Sequence, residues 1–599
     1  MEEVSRESAD EKPAKLPRFA RGFSGIASSL AALAVLTAII GWTVPADGAG
    51  MLRAGTFCAA ALFFLHEALS LFLRKEPVLR HFAKHWFRGL LFFVVLALTV
   101  ARAPLSALFE RAFPDAAPHE IGIGYAAALS AAVLWAHALR VIRERRTFFR
   151  RLPLTPGRVF ISSFVLLISA GTLLLKTPDA SVSGISWCDA LFLSTSAVCV
   201  TGLTPFDVAR ELTFSGQCIL LALIQLGGLG VMSITYFFAH FFVGGLSLKN
   251  RFDFQDLFSE ENIGQIGTVL AIIVGFTFTA EAIGAVAVYF SAADLLEASE
   301  RPIFFAVFHA VSSFCNAGLS CLPGGMTDSR LCGNAGMIFS VFAMCFAGSL
   351  GFPVIKNFWM FFTDRLRTRL RRKSVGHVPV RLTTHTKIVL TTSLGVFAFG
   401  FAAFYLLDGT NWGADSVRRA FVLAGTSRTS GFDIAPTGDI SPAAKLILMA
   451  LMFIGGSPFS TAGGIKTTTF AVALLALRQY VLGRRDLEVF GRRLESDVAR
   501  QVLAIISFAA SLVFLVTLAL CVLHPEIDIV SLAFEAVSAA GTVGLSCDVT
   551  PRLSDGAKYL VAGTMFVGRI GVLLFVTSFL PRRKTRLNAR LPETSIVLS

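Results

Sequence analysis

Long apolar stretches alternate with short polar ones along most of the chain, and twelve of them approach the roughly 20 helical residues needed to cross a bilayer. Four lie near 22–43, 54–74, 86–108 and 122–142. The other eight come in pairs, near 159–176 and 214–244, 266–290 and 333–361, 386–407 and 442–478, and 499–523 and 556–580. Within each pair sits a shorter, semi-apolar segment, near 187–199, 303–315, 415–428 and 528–541. These are too short to cross, and irregular backbone at membrane depth is tolerated only where protein buries it or a watery cavity meets it. The pattern predicts four units of helix, re-entrant half-helix and helix.

Each half-helix runs into a glycine. Val200-Thr201-Gly202, Asn316-Ala317-Gly318, Thr429-Ser430-Gly431 and Thr542-Val543-Gly544 recur at a period of about 113 to 116 residues, which marks an internal fourfold repeat. A small uncharged residue followed by a glycine free to take φ > 0 lets successive carbonyls turn toward a common axis. No acidic or basic residue directly adjoins the four glycines, so selection at such an axis rests on backbone dipoles rather than a charge ring. A lone glycine of this kind reads as close helix packing. Four in register do not.

Composition agrees with the pattern: 54% hydrophobic and only 16% charged residues describe a polytopic membrane protein and exclude a soluble enzyme. The net charge of +14 changes the picture through its placement. Lys and Arg crowd the N-terminal tail and the stretches 74–88, 140–158, 365–387, 478–500 and 582–590. All of these fall on one side if the spans are counted as above, and that side is the cytoplasm. Both termini are then cytoplasmic, every repeat begins and ends inside, and the repeats are parallel. Short dispersed basic loops make a poor nucleic-acid surface, so no nucleic-acid partner is expected.

The expected fold is an all-α polytopic membrane protein with four parallel helix–pore loop–helix repeats around a pseudo-fourfold pore, preceded by four extra transmembrane helices. The boundaries are a cytoplasmic tail at 1–21, the additional helices at 22–150, repeats at 151–250, 251–375, 376–490 and 491–582, and a cytoplasmic tail at 583–599.

In the third repeat the second apolar stretch is interrupted by Gly455-Gly456-Ser457-Pro458-Phe459-Ser460-Thr461-Ala462-Gly463-Gly464. Proline and four glycines cannot sustain a helix. The run is either a packing kink or an intramembrane loop that crosses the pore below the ring of glycines, and it is long for a kink. The Phe459 ring would then close the conduit by dewetting. Arg569 lies mid-way through the 556–580 stretch, where a charge costs roughly 2.5 to 3.5 kcal/mol. Its options are to donate to carbonyls of the broken loop or to snorkel to the interface, and the mid-span position favours the first. Glu281, in the first helix of the second repeat, and Glu535, in the fourth short helix, pose the same question as Arg569. Each is a membrane charge that needs a partner, or a cap or brace of pore-helix backbone. His309 is read as hydrogen-bonded to a neighbouring element rather than bound to a metal. The ten cysteines contain no CxxC; a Cys321–Cys332 disulfide is left open by the sequence. No convergent catalytic set is found, so an enzyme is not expected, nor an organic cofactor. The repeats are neither inverted nor two-part, as a midplane-site carrier would require.

Over roughly residues 150 to 580 the chain resembles the Trk/Ktr/HKT superfamily of potassium transporters, in particular the bacterial Ktr and Trk ion-translocating subunits. The resemblance is carried by the four glycine segments, Gln225 to Gly230, Phe308 to Gly318, Gly348 to Pro353, Ser427 to Phe432, Gly455 to Thr469 and Gly568-Arg569-Ile570-Gly571. It implies that Val200, Thr201, Gly202, Asn316, Ala317, Gly318, Thr429, Ser430, Gly431, Thr542, Val543 and Gly544 form a selectivity filter. It also implies that the 455–464 loop gates it together with Arg569. Potassium is then the transported ion; family members with Ser at the first glycine tend toward sodium, and Gly202 sets this chain with those that admit potassium. A sodium-conducting or sodium-coupled transporter of the same superfamily is the alternative. The resemblance further implies a homodimer in the cell membrane, controlled by a cytosolic nucleotide-binding regulatory subunit. The basic inner stretches 365–373 and 484–493 would dock that subunit or meet anionic lipid headgroups.

Overall fold

A computed structural model describes residues 156–230, 266–296, 300–370, 380–407, 413–483, 486–494, 496–571 and 575. The four extra helices expected within 22–150, both tails, and most of the 231–244 and 572–580 stretches lie outside the described residues.

Helices follow in the order α1 (Pro156–Leu175), α2 (Trp187–Val198), α3 (Phe214–Gly230), α4 (Ile266–Ala292), α5 (Pro302–Cys315), α6 (Ala335–Ser349) and α7 (Phe352–Leu370). They continue as α8 (Thr384–Leu407), α9 (Ala414–Thr426), α10 (Pro442–Met452), α11 (Thr467–Val481), α12 (Ser496–Leu523), α13 (Ile529–Gly541) and α14 (Asp555–Ile570). A small antiparallel hairpin pairs β1 (Glu488–Val489) with β2 (Arg492–Arg493). The result is a polytopic helical membrane protein. Ile273–Ala292 of α4, Thr384–Leu407 and Val498–Leu523 are each long and apolar enough to span a bilayer. Their exposed side chains are large and apolar, among them Phe290 on α4, Phe399 on α8 and Phe514 on α12, as lipid requires.

The short helices α2, α5, α9 and α13 bury most of their residues. Their starts are fixed locally. Ser186 caps α2 by accepting the Asp189 amide at 3.0 Å, and Asp528 caps α13 by accepting from Val530 at 3.1 Å and Ser531 at 3.3 Å. Pro302 opens α5, where its missing N–H costs nothing. Apolar clusters straddle the units: Phe192 and Leu220 share one with Phe308, Leu532 and Met565, Phe305 and Phe342 share another with Phe432, and Phe404 and Leu448 a third with Phe534.

Two apolar stretches depart from the expectation of unbroken spans. The 333–361 stretch is bent by 101° between α6 and α7. Gly351 sits at φ 79, and Pro353 in the first turn of α7 has no N–H to continue the ladder. The 556–580 stretch breaks after Ile570, with Gly571 at φ 92. Arg569 therefore stands in the last turn of α14, not in mid-helix.

Candidate ion site

The C-terminal ends of α2, α5, α9 and α13 lead into four turns of one stereochemistry. Two residues before each glycine the chain is left-handed: Val200 at φ 54, Asn316 at 61, Thr429 at 64 and Thr542 at 51. The glycines follow with φ 99 at Gly202, 66 at Gly318, 73 at Gly431 and 96 at Gly544. A left-handed non-glycine residue costs on the order of 1–3 kcal/mol and persists only where the surroundings over-determine it. Its recurrence at four equivalent stations, three of them β-branched, is the signature of a site.

The turns meet one another. A methyl group on Gly202 would lie 2.5 Å from the Ala317 carbonyl oxygen and 3.3 Å from Gly544 Cα. One on Gly318 would lie 2.8 Å from the Ser430 oxygen, one on Gly431 2.7 Å from the Val543 oxygen, and one on Gly544 would collide with the Thr201 oxygen. Each glycine faces the carbonyl that precedes the next glycine, and the fourth returns to the first. Behind the ring, Leu203, Leu319, Phe432 and Leu545 are buried anchors.

Hydrogen bonds set the carbonyl direction. The amides of Thr201, Ala317 and Val543 donate back to the carbonyls of Ser196 at 2.8 Å, Ser312 at 2.7 Å and Ser538 at 2.9 Å. The Gly202 amide donates to Ser196 Oγ at 3.0 Å, and the Gly544 amide to Ser538 Oγ at 3.2 Å. In a trans peptide the C=O opposes the N–H. Amides drawn back toward their helices therefore turn the carbonyls of Val200, Thr201, Asn316, Thr542 and Val543 the other way. The third segment differs: Gly425 stands at the serine station, with Phe342 in the space a side chain would take, and the Ser430 amide donates to the Thr426 carbonyl at 3.3 Å. The sequence reading missed Ser196, Ser312 and Ser538, although a serine six residues before three of the four glycines was visible. Ser538→Ala is expected to cost about 1–2 kcal/mol through the unpaired Gly544 amide; a thermal midpoint and rubidium flux equal to the parent's would contradict this.

Side-chain oxygens collect here as well. Thr201 Oγ1, Asn316 Oδ1, Thr429 Oγ1 and Thr542 Oγ1 are buried without a hydrogen-bond partner among the described residues. Bare oxygens suit a cation, whereas each is costly in an apolar interior.

The 455–464 run is an unwound loop between α10 and α11, held by hydrogen bonds rather than by helix. Its Ser457 and Thr461 amides donate to the carbonyls of Ser349 at 3.0 Å and Gly348 at 3.3 Å, and the Phe352 amide donates to Phe459 O at 3.2 Å. The two breaks thus satisfy each other's backbone, the condition for broken helices at membrane depth. Thr461 Oγ1 accepts from Asn316 Nδ2 at 2.8 Å and donates to the Phe314 carbonyl at 3.1 Å. Gly463 abuts Thr542 so closely that a methyl there would clash with Oγ1. Arg569, 5% exposed, donates to the Thr461 carbonyl and, at 3.1 Å, to the Gly227 carbonyl. The loop of the third unit therefore touches ring residues of the second and fourth, and through Arg569 reaches the first. Phe459, at φ 60, shares with Leu229, Phe276 and Phe352 a cavity of about 50 Å³.

Of the two options, the Glu281 and Glu535 carboxylates both take side-chain partners rather than backbone. Glu281 accepts from Gln225 Nε2 at 3.2 Å and lies 3.9 Å from Cys315 Sγ. Glu535 accepts from the hydroxyls of Ser546, at 2.8 Å, and Thr550. His309 bonds Ser320 Oγ at 2.9 Å. Every described cysteine is free, Cys321 and Cys332 included. In the loop between α5 and α6, the hydrogen bond from Arg330 holds the Asp328 carboxyl below its usual range.

The sequence profile of the TrkH family, described as cation transport protein, matches residues 145–585. The chain is 32% identical over 471 residues to the potassium/sodium uptake protein NtpJ of Enterococcus hirae, covering 75% of this chain and 98% of that one. It is 30% identical to the Ktr system potassium uptake protein B of Bacillus subtilis, covering 74% and 96%. The crystal structure of the potassium transporter TrkH from Vibrio parahaemolyticus is similar in fold, with a TM-score of 0.59 at 19% identity over 83% of this chain and 99% of that one. The profile match and the two relatives, read with the helical architecture, establish that the chain belongs to the TrkH family of cation transport proteins, which carry ions across membranes rather than catalyse a reaction.

Proposed function

We propose that this chain takes up potassium across the cell membrane through a pore whose selectivity filter is the ring of four glycine segments. The observation that carries the reading is the cyclic approach of Gly202, Gly318, Gly431 and Gly544 to one another's preceding carbonyls. Carbonyl oxygens so arranged replace the hydration shell of a monovalent cation. The four short helices end at the ring, and the partial negative charge at a helix C-terminus favours a cation there. Two relatives are named for potassium uptake. The residues of the filter are those named from the sequence, from Val200 to Gly202, Asn316 to Gly318, Thr429 to Gly431 and Thr542 to Gly544.

In this reading the 455–464 loop, tied by Arg569 and Asn316, is the gate. The whole is organised as four parallel repeats with the 22–150 helices outside the pore and both termini in the cytoplasm. The chain works as a homodimer with a cytosolic nucleotide-binding regulatory subunit docked on the basic inner stretches 365–373 and 484–493. Support for a partner comes from the name of a relative as protein B of a Ktr system. Neutralising those stretches is expected to abolish copurification of such a subunit; unchanged copurification would assign them to lipid headgroups. A sodium-conducting variant is the second reading, favoured by the potassium/sodium designation of NtpJ. Uptake of rubidium, potassium and sodium into liposomes, with and without a membrane potential, separates the two. Rubidium and potassium uptake that sodium does not match supports the first.

A further inference from the structure

Nine residues before the glycine and two residues after it, the second and fourth segments carry a matched pair of polar side chains. His309 Nε2 lies 2.9 Å from Ser320 Oγ, and Glu535 Oε2 lies 2.8 Å from Ser546 Oγ, each pair eleven residues apart. His309 and Glu535 are both 0% exposed. The bonding pattern fixes the roles. His309 Nδ1 lies 3.0 Å from the Phe305 carbonyl, which only accepts, so the proton sits on Nδ1 and Nε2 accepts from the Ser320 hydroxyl. Ser320 Oγ in turn accepts from the Leu322 amide at 3.1 Å, and Ser546 Oγ from the Val549 amide at 3.2 Å. In both units a pore-helix side chain holds a hydroxyl that holds the outgoing loop, immediately past the ring.

At the same station the first and third units have Leu193 and Val422, buried and unable to hydrogen-bond. The residues two past their glycines are Thr204 and Asp433. Asp433 bonds within its own loop, to the Ile434 amide at 2.8 Å and to Thr437 Oγ1. Because the segments meet in the order one, two, three, four, the two braced segments face each other across the ring. The His309 ring also packs 6.1 Å from Phe432, the anchor of the unbraced third segment.

We propose that His309 and Glu535 are positioning residues that set ion selectivity, each holding one of two opposed ring segments open through the hydroxyl beyond its glycine. The proposal rests on the ring being the filter. In the cavity-size account of carbonyl filters, potassium is discriminated from sodium because the ring resists contracting around the smaller ion, and buried, satisfied hydrogen-bond networks supply that stiffness. Two opposed braces resist contraction along one diameter and leave the other compliant.

The test is the potassium-to-sodium permeability ratio of the full chain in liposomes. Ser320→Ala and the double variant Ser546→Ala/Thr550→Ala remove each brace from its loop end, Thr550 being the second hydroxyl that donates to Glu535, and avoid cutting the buried pore helix. Each is expected to lower the ratio about fivefold, the scale of one hydrogen bond, with rubidium uptake retained and the thermal midpoint lowered no further than in Ser538→Ala, since the Leu322 or Val549 amide loses its acceptor. Glu535→Gln keeps an acceptor and is expected to retain the ratio, whereas Glu535→Leu loses it. Gly202→Ser is measured alongside. If it shifts the ratio while the serine variants and Glu535→Leu do not, the braces are overturned and the filter stands. If Gly202→Ser leaves the ratio unchanged, the filter assignment fails and the braces fall with it.

Discussion

Gly202→Ser is expected to lower rubidium and potassium uptake by at least about tenfold relative to sodium uptake, a change of roughly 1.4 kcal/mol. Two costs combine. Gly202 holds φ 99, a conformation that strains any residue with a Cβ. The new side chain would also start 2.5 Å from the Ala317 carbonyl oxygen, a contact that only a backbone shift relieves. That oxygen is one of the ligands assigned to the ion, and displacing it takes away more from the larger cation than from one that fits a contracted or asymmetric ring. Paired uptake of rubidium and sodium by the variant is the measurement, and unchanged values for both would count against the assignment.

Removing Ser457-Pro458-Phe459 is expected to raise the initial rate of rubidium uptake by about an order of magnitude. The deletion takes out the Ser457 amide that donates to Ser349 and the Phe459 carbonyl that accepts from Phe352. At about 0.5–1.5 kcal/mol for each bond, the loop loses enough to withdraw from Asn316 and Thr542. Arg569 would keep its bond to Gly227, so the remaining contacts of α14 are spared. A folded, monodisperse variant with lower flux than the parent would make the loop a structural support instead of a gate.

The sequence disclosed the elements whose chemistry is periodic. Four glycines at near-equal spacing are visible because each station holds a positive φ and a close backbone neighbour, which glycine meets without strain, and the run around Pro458 is visible because it cannot be helix. Other features were illegible for physical reasons. Left-handed backbone at Val200, Thr429 and Thr542 has no residue-type signature, since valine and threonine ordinarily avoid it, and Asn316 alone is of a type that takes it readily. The bend at Gly351 was hidden because Gly348 to Pro353 is a short motif inside an otherwise continuous apolar stretch; what permits it is a partner, the Phe459 carbonyl, that lies far away in the chain. Arg569 was seen as a buried charge needing carbonyls, and it does donate to Thr461 and Gly227, but its place at a helix end follows from Gly571 and not from hydropathy. Glu535 stood out as a carboxylate in an apolar helix, yet its partners Ser546 and Thr550 lie across a turn whose path the sequence does not specify.

Anomalous scattering from crystals of the full chain grown with rubidium tests the central claim most directly. The account predicts a peak inside the ring, within coordination distance of the carbonyl oxygens of Thr201, Ala317, Ser430 and Val543. Rubidium bound elsewhere in the protein, with the ring empty, would contradict it.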